Sequence, residues 1–328
     1  MTQPALESFK RRGVVVKAEV TEGTDSVPVA GTNGILLLNG KSGTEFDKKE
    51  RNIDRAHFTS NPFVVANKRS FIEGEFELYA PATPGAASTS SADCEPLLLP
   101  AGMAVTKDAA AKTTIYTPIS TGIPTASAYW WHVNKKRKHL GCRNDISSLK
   151  MEIGERFMGN VRILGTYTAT EAETLPTITL PGTVPVVSQY SNSKAYINDG
   201  AELEVLAKML EISFNNELAS REYTSQKFNR IHDRLATWKM RIAHTDLTDF
   251  NPWTIRDAAT VITARYRTFE GGNLYSQLAI RGQIEAIEEV DIDGDYGWDL
   301  SGPCIASNSG NDEFTLLFGD TTGTGYTP

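Results

Sequence analysis

Cysteine is scarce in this chain. Cys94, Cys142 and Cys304 are the only three in 328 residues, and they stand far apart. No CxxC pair occurs, and no two of the five histidines have zinc-ligand spacing, so nothing points to a metal site or a disulfide framework. Free cysteine packs as a small hydrophobe, so three buried thiols are expected. Long apolar runs are also missing. No run reaches 18 residues, so no membrane-spanning helix is expected. The opening MTQPALESFKRRGVVV sets basic residues ahead of an apolar run, but that run is too short for a secretory core, and a cytosol-like compartment of synthesis is expected.

Catalytic signatures are lacking as well. GxSxG, GxxxxGK[ST] and a strand-borne GxGxxG do not occur. The glycines of Gly319–Gly325 follow a strand, with no helix after them. His57, His132, His139, His232 and His244 lie near no serine or cysteine signature, and no spacing among the 40 acids singles out a hydrolase pair. No enzyme, cofactor or metal is expected. Net charge is −7, the wrong sign for an ordinary nucleic-acid binder, because phosphate affinity comes from Lys and Arg. One basic run, Asn134-Lys135-Lys136-Arg137-Lys138-His139, reads as a solvated hairpin turn or as a local contact with an acidic partner surface.

The dominant period is two. Ile72, Gly74, Phe76 and Leu78 alternate with Glu73, Glu75, Glu77 and Tyr79; Trp238, Met240 and Ile242 alternate with Lys239 and Arg241; Leu149, Met151 and Ile153 alternate with Lys150 and Glu152. Each pattern predicts a half-buried antiparallel strand. Helical grammar is confined to two short stretches with an early proline, around Pro96 and Pro252. Ala201–Leu210 suits a helix or a strand equally. Trp130 and Trp131 are adjacent in a strand and so face opposite sides of it; one is expected in the core and the other either exposed or at an interface.

Thr168–Gly200 breaks the alternation with Pro176, Pro181 and Pro185 and little charge, and reads as a linker or extended arm. The segments on its two sides repeat one order of elements: an apolar strand with a charged sequel, an alternating strand, a proline-started helix, and a hairpin. Leu140, Cys142, Arg143 and Ile146 precede Leu278, Ile280, Arg281 and Ile284 by 138 positions. The chain is therefore expected to be mainly β, as two tandem sandwich or barrel domains, each with a short packed helix: residues 1–167, the arm 168–200, and residues 201–328. The acidic stretch EEVDIDGDYGWDL, residues 288–300, occupies the place of the turn Ile153–Gly159 in the first copy. As a calcium loop it fails: counted from Asp291, position six is Tyr296 instead of Gly and position twelve is Gly302 instead of Glu. A strand–strand turn at Asp291, Asp293 and Asp295 is the better reading.

Several stretches, in order, resemble the tail tube (major tail) proteins of long-tailed bacteriophages: VVVKAEVTEGTDSVP (14–28), KRSFIEGEFELYAP (68–81), CEPLLLPAGM (94–103), FNPW (250–253) and NDEFTLLFGD (311–320). The resemblance implies a β-sandwich or barrel whose sheets join across subunits into rings. Rings would stack into a virion tube for double-stranded DNA, assembled in a host bacterial cytoplasm. Two tube folds in one chain imply a ring of three chains with pseudo-sixfold symmetry, or alternatively six chains with the second domain outside. Tape measure and tail terminator proteins are implied partners; DNA is met in transit only, and no membrane is involved. Glu73, Glu75 and Glu77 are the candidates for the lumen, where an acidic lining would repel phosphate. Trp130, Trp131, Lys135, Lys136, Arg137, Pro181 and Pro185 are candidates for contacts between subunits or rings, with the arm expected to reach the next ring. The competing reading is a monomeric two-domain β-sandwich module for binding or adhesion.

Overall fold

A computed structural model describes residues 11–54, 57, 59–86, 93–180, 185–198, 202–324 and 326. The first half holds β1 (Arg12–Ala18), β2 (Leu38–Glu50), β3 (Phe63–Glu77), helix α1 (Glu95–Leu98), β4 (Met103–Asp108), β5 (Thr113–Pro118), β6 (Ala126–His132), β7 (Lys135–Glu152), β8 (Met158–Tyr167) and β9 (Glu171–Ala172). The second holds β10 (Ser193–Asn198), β11 (Glu202–Val205), β12 (Ala207–Ser213), β13 (Asn216–Glu222), β14 (Lys227–Arg234), β15 (Thr237–Ala243), α2 (Pro252–Asp257), β16 (Val261–Gly271), β17 (Leu274–Gln283), β18 (Ala286–Ile292), β19 (Asp295–Pro303) and β20 (Phe314–Asp320). The molecule is mainly β and antiparallel, as the period-two patterns predict. The stretch that suits helix or strand equally is strand where it is described, as β11 and the start of β12. Both proline-started helices are present and short, and at α2 the Asn251 side chain caps the Thr254 N–H at 3.1 Å.

Two layers enclose one apolar core. The main sheet runs β18-β19-β15-β12-β7-β8-β3-β2. Its first four strands come from the second half and its last four from the first, in corresponding order: β18, β19, β15 and β12 stand for β7, β8, β3 and β2. The seam between the halves is an ordinary ladder, with Leu210 opposite Met151 and Ile212 opposite Leu149. The second layer runs β11-β10-β16-β17-β20-β5-β4, the last hairpin being a first-half insertion. β6 and the start of β7 continue the cover over the first half, with β1 and β9 beside them. The repeat persists at residue level: Ala126 faces Cys142 in one half and Ala264 faces Ile280 in the other, both shifted by 138.

One core cluster spans both halves, including Phe76, Leu97 and Ile146 from the first and Trp238, Tyr266 and Trp298 from the second. Cys94 and Cys142 are buried thiols and Cys304 is partly exposed. The acidic stretch forms the β18–β19 hairpin, turning on Asp293 (φ 57°) and Gly294 (φ 99°); positive φ at both residues is what a two-residue turn matching strand twist requires. Asp293 also pairs with Lys208 at 2.8 Å.

The basic run departs from the sequence reading. The turn is Val133-Asn134, with Val133 at φ 61°, and Lys135–His139 lie inside β7. The arm is docked on its own chain where it is described. Glu171–Ala172 pair with Lys135–Lys136, the Leu175 N–H donates to Val133, and the Thr179 N–H donates to Ala30. Farther on, the Ser188 N–H donates to Glu155. This stretch is a strap across its own chain.

Candidate assembly surface

One face of the main sheet meets the core; the other carries the charge. Alternation puts Glu73, Glu75 and Glu77 on the charged face, opposite Ile72 and Phe76. Register then builds rows across the strands. Lys41 of β2 faces Glu73 of β3, which faces Arg162 of β8, which faces Asp145 of β7. Lys150 of β7 faces Glu211 of β12, which faces Lys239 of β15. Sign alternates at each step, as cross-strand neighbours favour.

The contacts follow those rows. Glu73 takes Lys41 at 2.8 Å and Arg162 at 2.7 Å. Glu45 takes Arg162 at 2.6 Å and Arg69 at 2.9 Å. Glu77 pairs with Arg156, and Glu75 accepts from Asn39 at 3.4 Å. In the second half, Asp299 holds Arg241 at 2.6 Å and Lys239 at 2.8 Å. The three glutamates therefore belong to a lattice of pairs. Among Glu45, Glu73, Glu75, Glu77, Asp145, Glu152, Glu211, Glu288 and Asp299 against Lys41, Arg69, Lys150, Arg156, Arg162, Lys239 and Arg241, acids remain in excess. A phosphate backbone laid on this face meets cations already engaged by carboxylates.

Burial pushes the Glu45 and Asp299 carboxyls upward, but the hydrogen bonds from Arg69 and Arg162, and from Arg241 and Lys239, outweigh it and hold both below the usual carboxylate range. A lowered folded value means stabilisation that is complete above the unfolded value of about 4 and lost as pH falls through the folded one. Acidification below pH 4 is thus expected to lower the melting midpoint. Asp299→Asn should flatten that acid limb; an unchanged limb would show that the pairs contribute nothing. At neutral pH, Asp299→Ala should cost about 1–3 kcal/mol, short of a fully buried pair because Lys239 and Arg241 can rehydrate.

Trp130, Trp131, Lys135, Lys136 and Arg137 belong to β6 and the start of β7, away from this face. Trp130 lies in the main core and packs on Gly40. Trp131 joins Val15 and Tyr129 in a small cluster closed by Leu175 and Ile178 of the strap. Both rings are thus covered within one chain. The Lys136 ammonium stands 4.5 Å from the Tyr129 ring centre and 2.8 Å from Glu173. Arg137 donates to Ser42 at 3.1 Å, Lys135 is exposed, and Pro185 is buried. Pro181 lies outside the described residues.

The loop Glu19–Asp25, which reads E-x-T-x-G-T-D within the 14–28 stretch, is pinned by its acids. Glu19 accepts from the Gly23 N–H, Thr125, Ser127 and the Gly141 N–H at 2.7–2.8 Å, and Asp25 accepts from Tyr129 at 2.6 Å. The motif thereby fixes the joint between β1 and the β6–β7 hairpin.

Open sheet borders are expected of a subunit whose sheets join across a ring; what the sequence does not give is which strands form them. Among the described residues, the main sheet ends at β2 on one side and at β18 on the other, and neither pairs with a further strand. Only long-range pairing reveals which strands are last.

A family model for phage tail tube protein matches residues 10–263. The chain belongs to the phage tail tube protein family, a structural component of the virion tail. No match is found among curated proteins.

Proposed function

We propose that three copies of this chain close into a ring, and that stacked rings form the tail tube through which double-stranded DNA leaves the virion. The observation that carries this reading is the doubled strand order with complementary ends. Inside the chain, β12, the last strand of the second copy of the motif, pairs with β7, the first strand of the first copy. Their counterparts β2 and β18 are the two open borders, so β2 of one chain can pair with β18 of the next as β12 pairs with β7. Unpaired edges are a liability in solution, and closing the ring removes both borders of the main sheet.

Three chains of eight strands make a 24-stranded barrel. At about 4.8 Å per strand and a tilt of about 40°, its backbone diameter is roughly 50 Å. Side chains of about 5 Å on each wall leave a bore of roughly 40 Å, wide enough for a duplex. The charged face, with Glu73, Glu75 and Glu77, lines that bore; its paired, slightly acidic character lets DNA pass without sticking. A six-chain ring would put the second half outside the barrel, whereas here both halves supply the same sheet. The role is structural and non-enzymatic, with tape measure and terminator proteins as further partners in the tail. Trp130, Trp131, Lys136 and Arg137 act by stiffening the outer layer of the ring, and Lys135 is the exposed member of that group.

Native mass spectrometry with negative-stain imaging of the purified chain tests this. Trimers, rings or polymers are expected. A monomer at high concentration under every salt condition would favour the binding-module reading.

A further inference from the structure

The second half sends out a hairpin that clasps the first. β13 and β14 extend beyond β12 and β15 and lie across the border of the first half. Asn229, fully buried, donates to the Gly141 carbonyl at 3.0 Å, and Arg143 donates back to the Asn229 carbonyl at 3.3 Å. Asn216 donates to Ala101 and Asn144, and Lys227 donates to Lys68 at the base of β3. The seat is thus made from β3 and from β7 where it leaves the main sheet.

The first half has the corresponding hairpin. The outer parts of β2 and β3 pair from Asp47–Glu50 to Phe63–Ala66, past a register shift. Among the described residues its side chains find no such seat: Phe46, Phe63 and Val64 are 41%, 48% and 52% exposed, and Lys48 sits over the Phe63 ring. The second half also has the corresponding seat. An open groove of about 640 Å³ is lined by Ile119, Ile231, Leu235, Pro303, Ile305 and Glu313. Leu235 follows β14 as Lys68 lies near the hairpin base in β3. Ile305 accepts from Arg281, the counterpart of Arg143. Glu313 is 8% exposed; Arg234 holds one of its oxygens at 2.7 Å, and the other is buried without a partner. A groove with apolar walls, with Asp233 at its lining and a spare buried carboxylate oxygen on Glu313, suits a hairpin that offers Phe46, Phe63 and Val64 beside Lys48 and Lys49.

We infer that this groove receives the β2–β3 hairpin of a second copy of the chain, the neighbour in the same ring. The inference rests on the ring reading above. It turns the clasp seen inside one chain into a collar of six clasps per ring, three within chains and three between them.

Disulfide trapping tests it in the full-length chain. Cys304 lines the groove and is replaced by Ala; Val64→Cys and Leu235→Cys are then combined, both at exposed positions. After mild oxidation of ring preparations, covalent dimers and trimers are expected with nothing larger, because a head-to-tail contact within a three-membered ring closes at three. Each single-cysteine chain should give neither. Parent rings without trapped species would overturn the seat while leaving the ring intact. A ladder running past three chains would overturn it in favour of a contact between stacked rings. Parent protein without rings would overturn both readings. The double variant Phe46→Asp, Phe63→Asp should melt like the parent and lose rings at concentrations where the parent is assembled; normal rings would contradict the inference.

Discussion

A chain carrying Glu289→Pro is expected to fold and melt nearly as the parent does, yet to form no rings. β18 is a border strand, paired on one side only. Its two-residue turn at Asp293-Gly294 makes Ile292 and Asp295 the first hydrogen-bonded pair. Counting back in twos, Val290, Glu288 and Ala286 point their N–H groups at β19, so Ile287, Glu289 and Asp291 direct theirs outward. Proline at 289 removes one outward donor and sets its ring where the next chain's β2 must lie, while the inner ladder keeps its bonds. Edge strands tolerate such a proline; paired strands do not. Position 289 is exposed, so no core contact is lost. Circular dichroism melting should show the fold retained and sedimentation the loss of assembly. Rings from this variant would place the seam elsewhere.

Trp298→Ala should bring the largest loss of stability. The side chain is 1% exposed and packs edge-on against Trp253 and His244, with ring centres at 5.3 and 5.1 Å. Truncating a buried tryptophan costs about 3–5 kcal/mol through lost burial and the cavity left behind. A fall of roughly 5–15 °C in melting midpoint should follow. Trp298→Phe is the informative companion. The indole N–H is buried without a hydrogen-bond partner, so phenylalanine sheds an unsatisfied donor while keeping most of the packing. It should cost clearly less than the alanine change, because the cavity it leaves is smaller. Because β19 backs β18, the alanine variant should also assemble poorly, whereas the phenylalanine variant should not.

Much of this was legible in the residues alone, for a physical reason. Alternation of Ile72, Gly74 and Phe76 with Glu73, Glu75 and Glu77 is local, and it locates a strand and its two faces without further help. The 138-residue shift is equally local, being one pattern written twice. The turn at Asp293-Gly294 is set by residues that accept positive φ. Pairing across the sheet is a different matter. That Glu73 meets both Lys41 and Arg162 depends on register between strands far apart in sequence, so an acidic stripe on paper becomes a neutralised lattice in three dimensions. That β12 meets β7, fusing both halves into one sheet, is likewise invisible to a reading by segments. The basic run was misplaced because its turn is formed by Val133, a β-branched residue that gives no turn signal. Trp131 could be assigned a face but not its cover, which comes from Leu175 and Ile178 more than forty positions later.

The central claim is that one chain is a third of a closed wall. Electron cryomicroscopy of assembled particles, resolving individual strands, tests it most directly. Three chains per ring and 24 strands are expected, with β2 of each chain running antiparallel beside β18 of the next and Glu73 facing the bore. Rings of six chains, or borders of β2 and β18 left apart while other surfaces hold the particle together, would contradict it.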